Sequence, residues 1–333
     1  MRPEIRTIGH VQRVLLLKRG RFTGNLPASD LALVVEYLRE RTYAAGEVLL
    51  REGEPVPAAQ FIAAGTVLLQ RGGVDVARAE AGTELGGIEM LARAESALTA
   101  VAETDVRCLE LSEESNAELL DDHFGIFHRV LQQNCRQIIA LTRRLPDATS
   151  VMAPTRIAPP PGREMDLVER IFFLRQAPPF ARSSINALAE LSRAMTEVRF
   201  DPGTVLWSEG YSARGIFLVV SGRVTARSPR FGFEMQVGAG QPLGILEAFA
   251  QVPRWYEATI VEPTVALSGD VETFVDVLED NFEMAMDYLA VISRWTMSLS
   301  QLLIQREGLA TLAEYGIVPI LPDPDPDPAS VVP

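Results

Sequence analysis

Cysteine is nearly missing: Cys108 and Cys135 are the only two in 333 residues. Two thiols make no disulfide framework, and such sparse use fits a reducing compartment. Long apolar runs are missing as well. The longest, such as Val14–Leu17 and Ile216–Val220, fall far short of the roughly 18 residues a membrane span needs. No apolar stretch follows Arg2 and Arg6 within Met1–His10, so no signal peptide is expected. Positive charge is in deficit, with 31 Lys and Arg against 44 Asp and Glu and a net charge of −13. That balance repels nucleic acid. Histidine is rare, and His123 and His128, five residues apart, do not share a helix face as a metal pair would. His128 and Cys135 could share one, but two ligands make no zinc site. There is no Walker phosphate loop and no Gly-x-Ser-x-Gly elbow. Gly238-Ala239-Gly240 with Gly244 misses the last spacing of a dinucleotide fingerprint. The expectation is a cytoplasmic, non-enzymatic, acidic protein, without metal. At 47% hydrophobic and 23% charged it has the composition of a globular chain.

What the sequence does have is a repeat. With a shift of 157 residues, Arg13 meets Arg170, Leu31 meets Leu188 and Glu40 meets Glu197. Ala45-Gly46-Glu47-Val48-Leu49 meets Pro202-Gly203-Thr204-Val205-Leu206, and Glu52-Gly53 meets Glu209-Gly210. The shift then becomes 158 at Gly82/Gly240 and Glu89/Glu247, and about 159 at Val106/Val265. This gives one unit over 10–147 and another over 165–307. A linker, 148–164, carries Pro154, Pro159, Pro160 and Pro161 and cannot stay helical. A tail, 308–333, alternates Asp and Pro and is expected to be extended or disordered.

Each unit reads alike. A helix comes first, over Ser29–Arg41 and over Ser183–Met195. Short strands follow at Glu47–Arg51, Ala59–Ala63, Val67–Arg71, Ala97–Ala102 and Val106–Leu111, with glycine turns between them. This spacing indicates an antiparallel sandwich or barrel. A long helix closes each unit. The fold class is therefore α+β: two tandem small antiparallel β-barrels of jelly-roll type, each flanked by helices.

That order, with Phe61–Gly65, Gly82-Thr83-Glu84-Leu85-Gly86 and Ala97-Leu98-Thr99-Ala100-Val101, resembles the cyclic nucleotide-binding domain. In the second unit the matching pieces are Phe217–Gly222, Gly240-Gln241-Pro242-Leu243-Gly244 and Ala258-Thr259-Ile260. The resemblance is to the catabolite activator family and to the regulatory subunits of cyclic-AMP-dependent kinase. It implies cyclic AMP or cyclic GMP as the ligand of any intact site. It also implies a phosphate cassette: a Gly turn with exposed N–H groups, a Glu that accepts from the ribose hydroxyl, and an Arg that neutralises the phosphate.

Both cassettes depart from that pattern. After Gly86 the Glu position falls on Gly87, and the Arg position on Ser96 or Ala97. After Gly244 they fall on Ile245 and on Trp255 or Tyr256, with Arg254 one or two residues early. Glu89 and Glu247 stand two residues beyond the Glu position and read as surface or cap carboxylates of a short helix. Thr99 and Thr259 complete the candidate ligand residues. Trp255-Tyr256 reads as packing inside the barrel.

The closing helices carry a heptad seam, with steps of three and four. It runs through Phe124, Phe127, Leu131, Asn134, Ile138, Leu141 and Leu145. In the second unit it runs through Phe282, Ala285, Leu289, Ile292, Thr296, Leu299 and Leu303. The seam favours helix pairing, as a homodimer or as an internal pseudo-dimer. In the activator family a helix-turn-helix domain follows this helix, whereas here only Gly308–Pro333 remains. The basic N-terminus, with Arg2, Arg6, Arg13, Lys18, Arg19 and Arg21 against Glu4, reads as a solvated helix face. The expected function is regulation or scaffolding through protein partners. The alternative is a sensor that binds a small molecule mainly in the second unit.

Overall fold

The structure is a computed structural model that describes residues 8–20, 23–148, 162–308, 310–311 and 317–319, the last by backbone alone. Most of the Pro-rich linker, Arg2, Arg6 and Arg21, and nearly all of the Pro/Asp tail lie outside the described residues. The first repeat contains α1 (His10–Leu17), α2 (Ala28–Glu36), β1 (Arg39–Tyr43), β2 (Val48–Leu50), β3 (Ala58–Ala64), β4 (Val67–Arg71), β5 (Val74–Ala79) and β6 (Glu84–Leu85). It continues with α3 (Gly87–Ala92), β7 (Thr99–Ala102), β8 (Val106–Ser112), α4 (Glu113–Asp122) and α5 (Phe124–Arg144). The second contains α6 (Leu167–Gln176), a 3-10 turn (Pro178–Phe180), α7 (Ile185–Ala194), β9 (Thr196–Phe200), β10 (Val205–Trp207) and β11 (Gly215–Ser228). Then come β12 (Phe233–Val237), β13 (Pro242–Leu243), α8 (Ile245–Ala250), β14 (Glu257–Asp270), α9 (Val271–Asp280) and α10 (Phe282–Glu307), and after the repeat β15 (Ile317–Pro319), which pairs with β5 of the first. Among the described residues no helix is long and apolar enough to cross a membrane.

Both repeats are jelly-roll-like arrangements of antiparallel strands with flanking helices, in tandem. The first has two sheets, ordered β1-β8-β3-β6 and β15-β5-β4-β7-β2. The second is one six-stranded sheet. Its β11 and β14, 14 residues each, run through what are separate strands in the first repeat: β3 with β4, and β7 with β8. Among the described strands no ring closes.

The duplication is visible atom by atom. Arg13 Nε donates to the Ile8 carbonyl and its Nη1 to the Leu38 carbonyl, while Ile8 N donates to Glu40 Oε2. Arg170 Nε donates to Met165, its Nη1 to Met195, and Met165 N donates to Glu197 Oε2. Every partner is shifted by 157. One arginine thus ties the start of the first helix to the start of the first strand in both copies. The left-handed glycines repeat as well. Gly65 and Gly222 have φ of +91° and +89°, and a Cβ on either would run into the backbone of the facing strand. That backbone belongs to Asp105 and Val106 in one copy, and to Pro263 and Thr264 in the other. The shift there is 158, so Val106 corresponds to Thr264. The reading that paired Val106 with Val265 is one residue off.

The first helix is shorter than its apolar periodicity suggests. Ser29–Arg41 was expected as one helix, but α2 ends at Glu36 and Arg39–Tyr43 pairs antiparallel with Glu110–Val106. A strand partner for Thr42 and Tyr43, residues that favour strands, overrides the helical pattern. In the second copy Ser184 Oγ accepts from Ala187 N and starts α7 two residues after Ser183.

The chain divides into two compact units, Met1–Leu119 with Gln301–Pro333, and Leu120–Ser300. Helix α5, though part of the first repeat, packs within the second unit, against α8. Arg136 Nε donates to the Ala250 carbonyl at 3.0 Å. The Arg143 guanidinium lies 5.0 Å from the Phe231 ring and 5.2 Å from Trp255. Seam residues Phe127, Leu131, Asn134, Ile138, Leu141 and Leu145 are buried, as are their α10 counterparts from Ala285 to Leu303, while Phe124 and Phe282 are half-buried. Both polar seam residues donate within their own helices, Asn134 Nδ2 to the Val130 carbonyl and Thr296 Oγ1 to Ile292, while Asn134 Oδ1 is buried without a hydrogen-bond partner among the described residues.

Candidate functional site

The cassettes occupy equivalent places, each beginning at a left-handed glycine that opens a six-residue helix. Gly86 has φ of +76° and Gly244 of +77°. Each helix ends on another left-handed residue, Arg93 or Gln251. Backbone bonds then fix the return of the chain. Gly53 N donates to the Ser96 carbonyl and Ser96 N to the Glu54 carbonyl. In the second copy Gly210 N donates to the Arg254 carbonyl and Arg254 N to the Tyr211 carbonyl. Arg254 is therefore the counterpart of Ser96, ten residues after the glycine in both cassettes. Placing the Arg position on Trp255 or Tyr256 was an error of register. The first cassette has Ser96 where the family resemblance calls for arginine, and the second keeps the arginine.

That arginine is already engaged. Arg254 is 3% exposed, with Nη1 donating to the Gly244 carbonyl at 2.5 Å and Nη2 to the Gly215 carbonyl. Nη1 also lies 3.4 Å from Glu247 Oε2. Its guanidinium carbon sits 4.1 Å from the centre of the Trp207 ring. A Cβ on Gly244 would meet Arg254 Nη2 at 2.9 Å, so the guanidinium fills the hollow that the glycine opens. In the first cassette the same hollow holds no cation: a Cβ on Gly86 would meet Val56 Cγ1 at 2.8 Å, the Ala58 carbonyl oxygen at 3.0 Å and Leu50 Cδ1 at 3.6 Å. Leu50 and Trp207 are equivalent, 157 apart.

Glu247 is not a surface carboxylate. It is 2% exposed and accepts from Trp255 Nε1 at 2.6 Å through its other oxygen. Burial pushes its carboxyl above the ordinary carboxylate range, and Arg254 and Trp255 pull it back. Glu89 is half-buried, and desolvation raises its carboxyl too, but no cation faces it among the described residues. Gly87 abuts the Glu84 side chain, where a Cβ would collide with the carboxylate. Ile245 is buried. Thr99 Oγ1 accepts from Glu52 N, and Thr259 Oγ1 donates to Glu257 at 3.4 Å. Ser96 turns back on itself, with Oγ donating to the Leu98 carbonyl. The candidate residues cluster by cassette, but only Gly244, Glu247 and Arg254 bond to one another.

Aromatic rings complete the second cassette. Trp255 and Tyr256 are buried, Trp255 lies 4.6 Å from the Phe233 ring, and Trp207 stacks on Phe217 at 6.0 Å. Burial raises the Tyr256 hydroxyl well above its usual value. Sequence reasoning missed Trp207 and Gly215 as partners of Arg254. The signal was available in the equal ten-residue spacings Gly86–Ser96 and Gly244–Arg254.

Among solved structures, the chain is similar to the regulatory domain of Toxoplasma gondii PKA with cAMP, at 15% identity. That match covers 84% of this chain and 94% of the other, with a TM-score of 0.32. It is also similar to the regulatory subunit of a cAMP-independent protein kinase A from Trypanosoma brucei, at 14% identity, covering 89% of each chain, TM-score 0.32. The N-terminal domain of a transcriptional regulator from Streptomyces coelicolor A3(2) matches at 27% identity, covering 39% of this chain and 94% of its own, TM-score 0.35. No curated protein matches the sequence. The sequence profile of the cyclic nucleotide-binding domain matches twice, over residues 40–123 and 197–281, from the first strand of each copy to the helix after its last. With just over half its length in those two matches, the chain belongs to the cyclic nucleotide-binding domain family.

Proposed function

We propose that this chain is a non-catalytic regulatory protein whose two cassettes no longer take a cyclic nucleotide in the family's manner. It works instead through contacts with protein partners. One observation carries this reading. The single phosphate-type arginine, Arg254, is neutralised by Glu247, capped by two carbonyls and covered by Trp207. A cyclic phosphate entering there would have to displace a buried carboxylate of its own sign. In the first cassette the arginine is replaced by Ser96 and the hollow is filled by Val56 and Leu50. Losing the cationic partner of a buried phosphate costs about 2–5 kcal/mol, a factor of roughly 30 to several thousand in affinity.

The test is a thermal-shift series with cyclic AMP, cyclic GMP and cyclic dinucleotides at millimolar concentration. The expected result is an unchanged melting midpoint. A ligand at a hundredfold its Kd stabilises by about 2.7 kcal/mol, which moves a midpoint by several degrees. Such a shift, lost in Arg254→Ala, would overturn the reading and establish a nucleotide sensor in the second domain.

A further inference from the structure

The second unit holds a cavity of about 390 Å³ beside the cassette, bordered by its Gly240–Pro242 turn and Ile245 but by none of Glu247, Arg254 and Trp255. Its floor is Ile216 and Leu218 of β11 with Ile245, and its walls come from the α6–α7 connection and from α10. Phe180, Phe274, Tyr288 and Trp295 bring rings to it, and Pro178, Pro179 and Pro242 make it stiff. The volume lies in the small-molecule range and is too narrow for a helix about 10–12 Å across.

The other repeat shows that this lining is not a requirement of the fold. At the positions equivalent to Phe217, Phe274, Ile292 and Trp295, the first repeat has Gln60, Asn116, Asn134 and Gln137. Gln60 Nε2 donates to the Tyr43 hydroxyl at 3.0 Å, where the second repeat has Phe217 edge-on to Phe200 at 6.0 Å. One framework thus carries polar side chains in one copy and rings in the other, and the cavity stands where the rings are.

Arg294 is the single charged residue among those lining the cavity, and it is exposed, which puts it at the mouth. We propose that this cavity is a ligand site for a flat aromatic molecule with one anionic group, its rings against the packed cluster of Phe180, Phe274 and Tyr288 and beside Trp295, and its charge toward Arg294. Because α10 forms one wall, an occupant would hold the closing helix against the α6–α7 connection. The site borders the cassette at Ile245 but is not lined by Arg254, Glu247 or Trp255, so it does not depend on whether the cassette binds a nucleotide.

The probe is 1-anilinonaphthalene-8-sulfonate, titrated into the full chain by calorimetry and by quenching of tryptophan emission. One equivalent per chain should bind saturably. Val291→Trp and Ser298→Phe, which fill the mouth from α10, should each weaken binding at least tenfold while the melting midpoint stays within a few degrees. If one of them misfolds, the other decides. Arg294→Gln should weaken the sulfonate roughly threefold to tenfold and leave the uncharged analogue N-phenyl-1-naphthylamine unchanged. Cyclic AMP should not displace the probe. Binding that does not saturate, binding indifferent to the mouth-filling variants, or displacement by cyclic AMP would each overturn the assignment.

Discussion

The two repeats keep the same backbone and have exchanged the chemistry inside it. Their helix ties match partner for partner, Arg13 on the Ile8 and Leu38 carbonyls as Arg170 on those of Met165 and Met195, and Glu40 on Ile8 N as Glu197 on Met165 N. Their glycine turns match within a few degrees at Gly86 and Gly244. Inside, the side chains facing the glycine are aliphatic in one copy, Val56 and Leu50, and cationic in the other, Arg254. Every ring–ring contact among the described residues falls between 120 and 300, in the second unit. Main-chain geometry was preserved where steric limits are absolute, at positive φ and at close strand approach. Side chains diverged where only mutual satisfaction was required.

The largest expected difference between the copies lies at the paired glutamates. Glu247→Ala leaves the buried Arg254 guanidinium without its carboxylate and Trp255 Nε1 without its acceptor. Breaking a buried pair from one side costs about 3–5 kcal/mol, a drop on the order of 10 °C in the melting midpoint of a unit this size. Glu89→Ala, at the equivalent place with no cation, should cost far less. Equal losses in the two variants, read by calorimetry, would break the distinction between the cassettes.

The helix ties test the opposite claim, that the frameworks are equivalent. Arg13→Ala and Arg170→Ala each remove two hydrogen bonds to carbonyls. Each should cost about 1–3 kcal/mol, and the two should agree closely in urea denaturation. A gap of several kilocalories would show that only one tie carries its domain.

The smallest effect concerns pH. Burial raises the folded-state Glu89 carboxyl above its unfolded value. The protonated form is favoured in the fold, so this contribution to stability is present in full below the unfolded pKa. It is lost as pH rises through the raised folded value. Glu89→Gln should therefore match the parent at pH 4 and melt a few degrees higher at pH 7.5. A variant that melts lower at pH 7.5 would mean that the ionised carboxylate has a partner and that the first cassette resembles the second more than its geometry suggests.

The architecture was legible because glycines and apolar spacing repeat in the sequence itself. The strand Val67–Arg71 appears where its alternation placed it. The end of α2 was not legible, because pairing of β1 with β8 is a contact across some seventy residues. The cassettes were half legible. Ser96 could be read by counting, but Arg254 was displaced by one residue because loop lengths were matched by similarity rather than by the distance from the glycine. The role of Glu247 was hidden altogether. A carboxylate early in a short helix looks solvated until the fold puts a guanidinium and an indole against it.

The seating of α5 has a practical consequence for taking the molecule apart. The prolines between 148 and 164 mark where the repeat begins again in the sequence, and a reading of the repeat alone would divide the chain there. A fragment starting there would lack the helix whose Arg136 caps α8 and whose Arg143 covers Phe231 and Trp255. The indole that holds Glu247 would then face water. The excisable piece begins near Leu120, so the boundary of the inherited unit and the boundary of the folding unit are about forty residues apart.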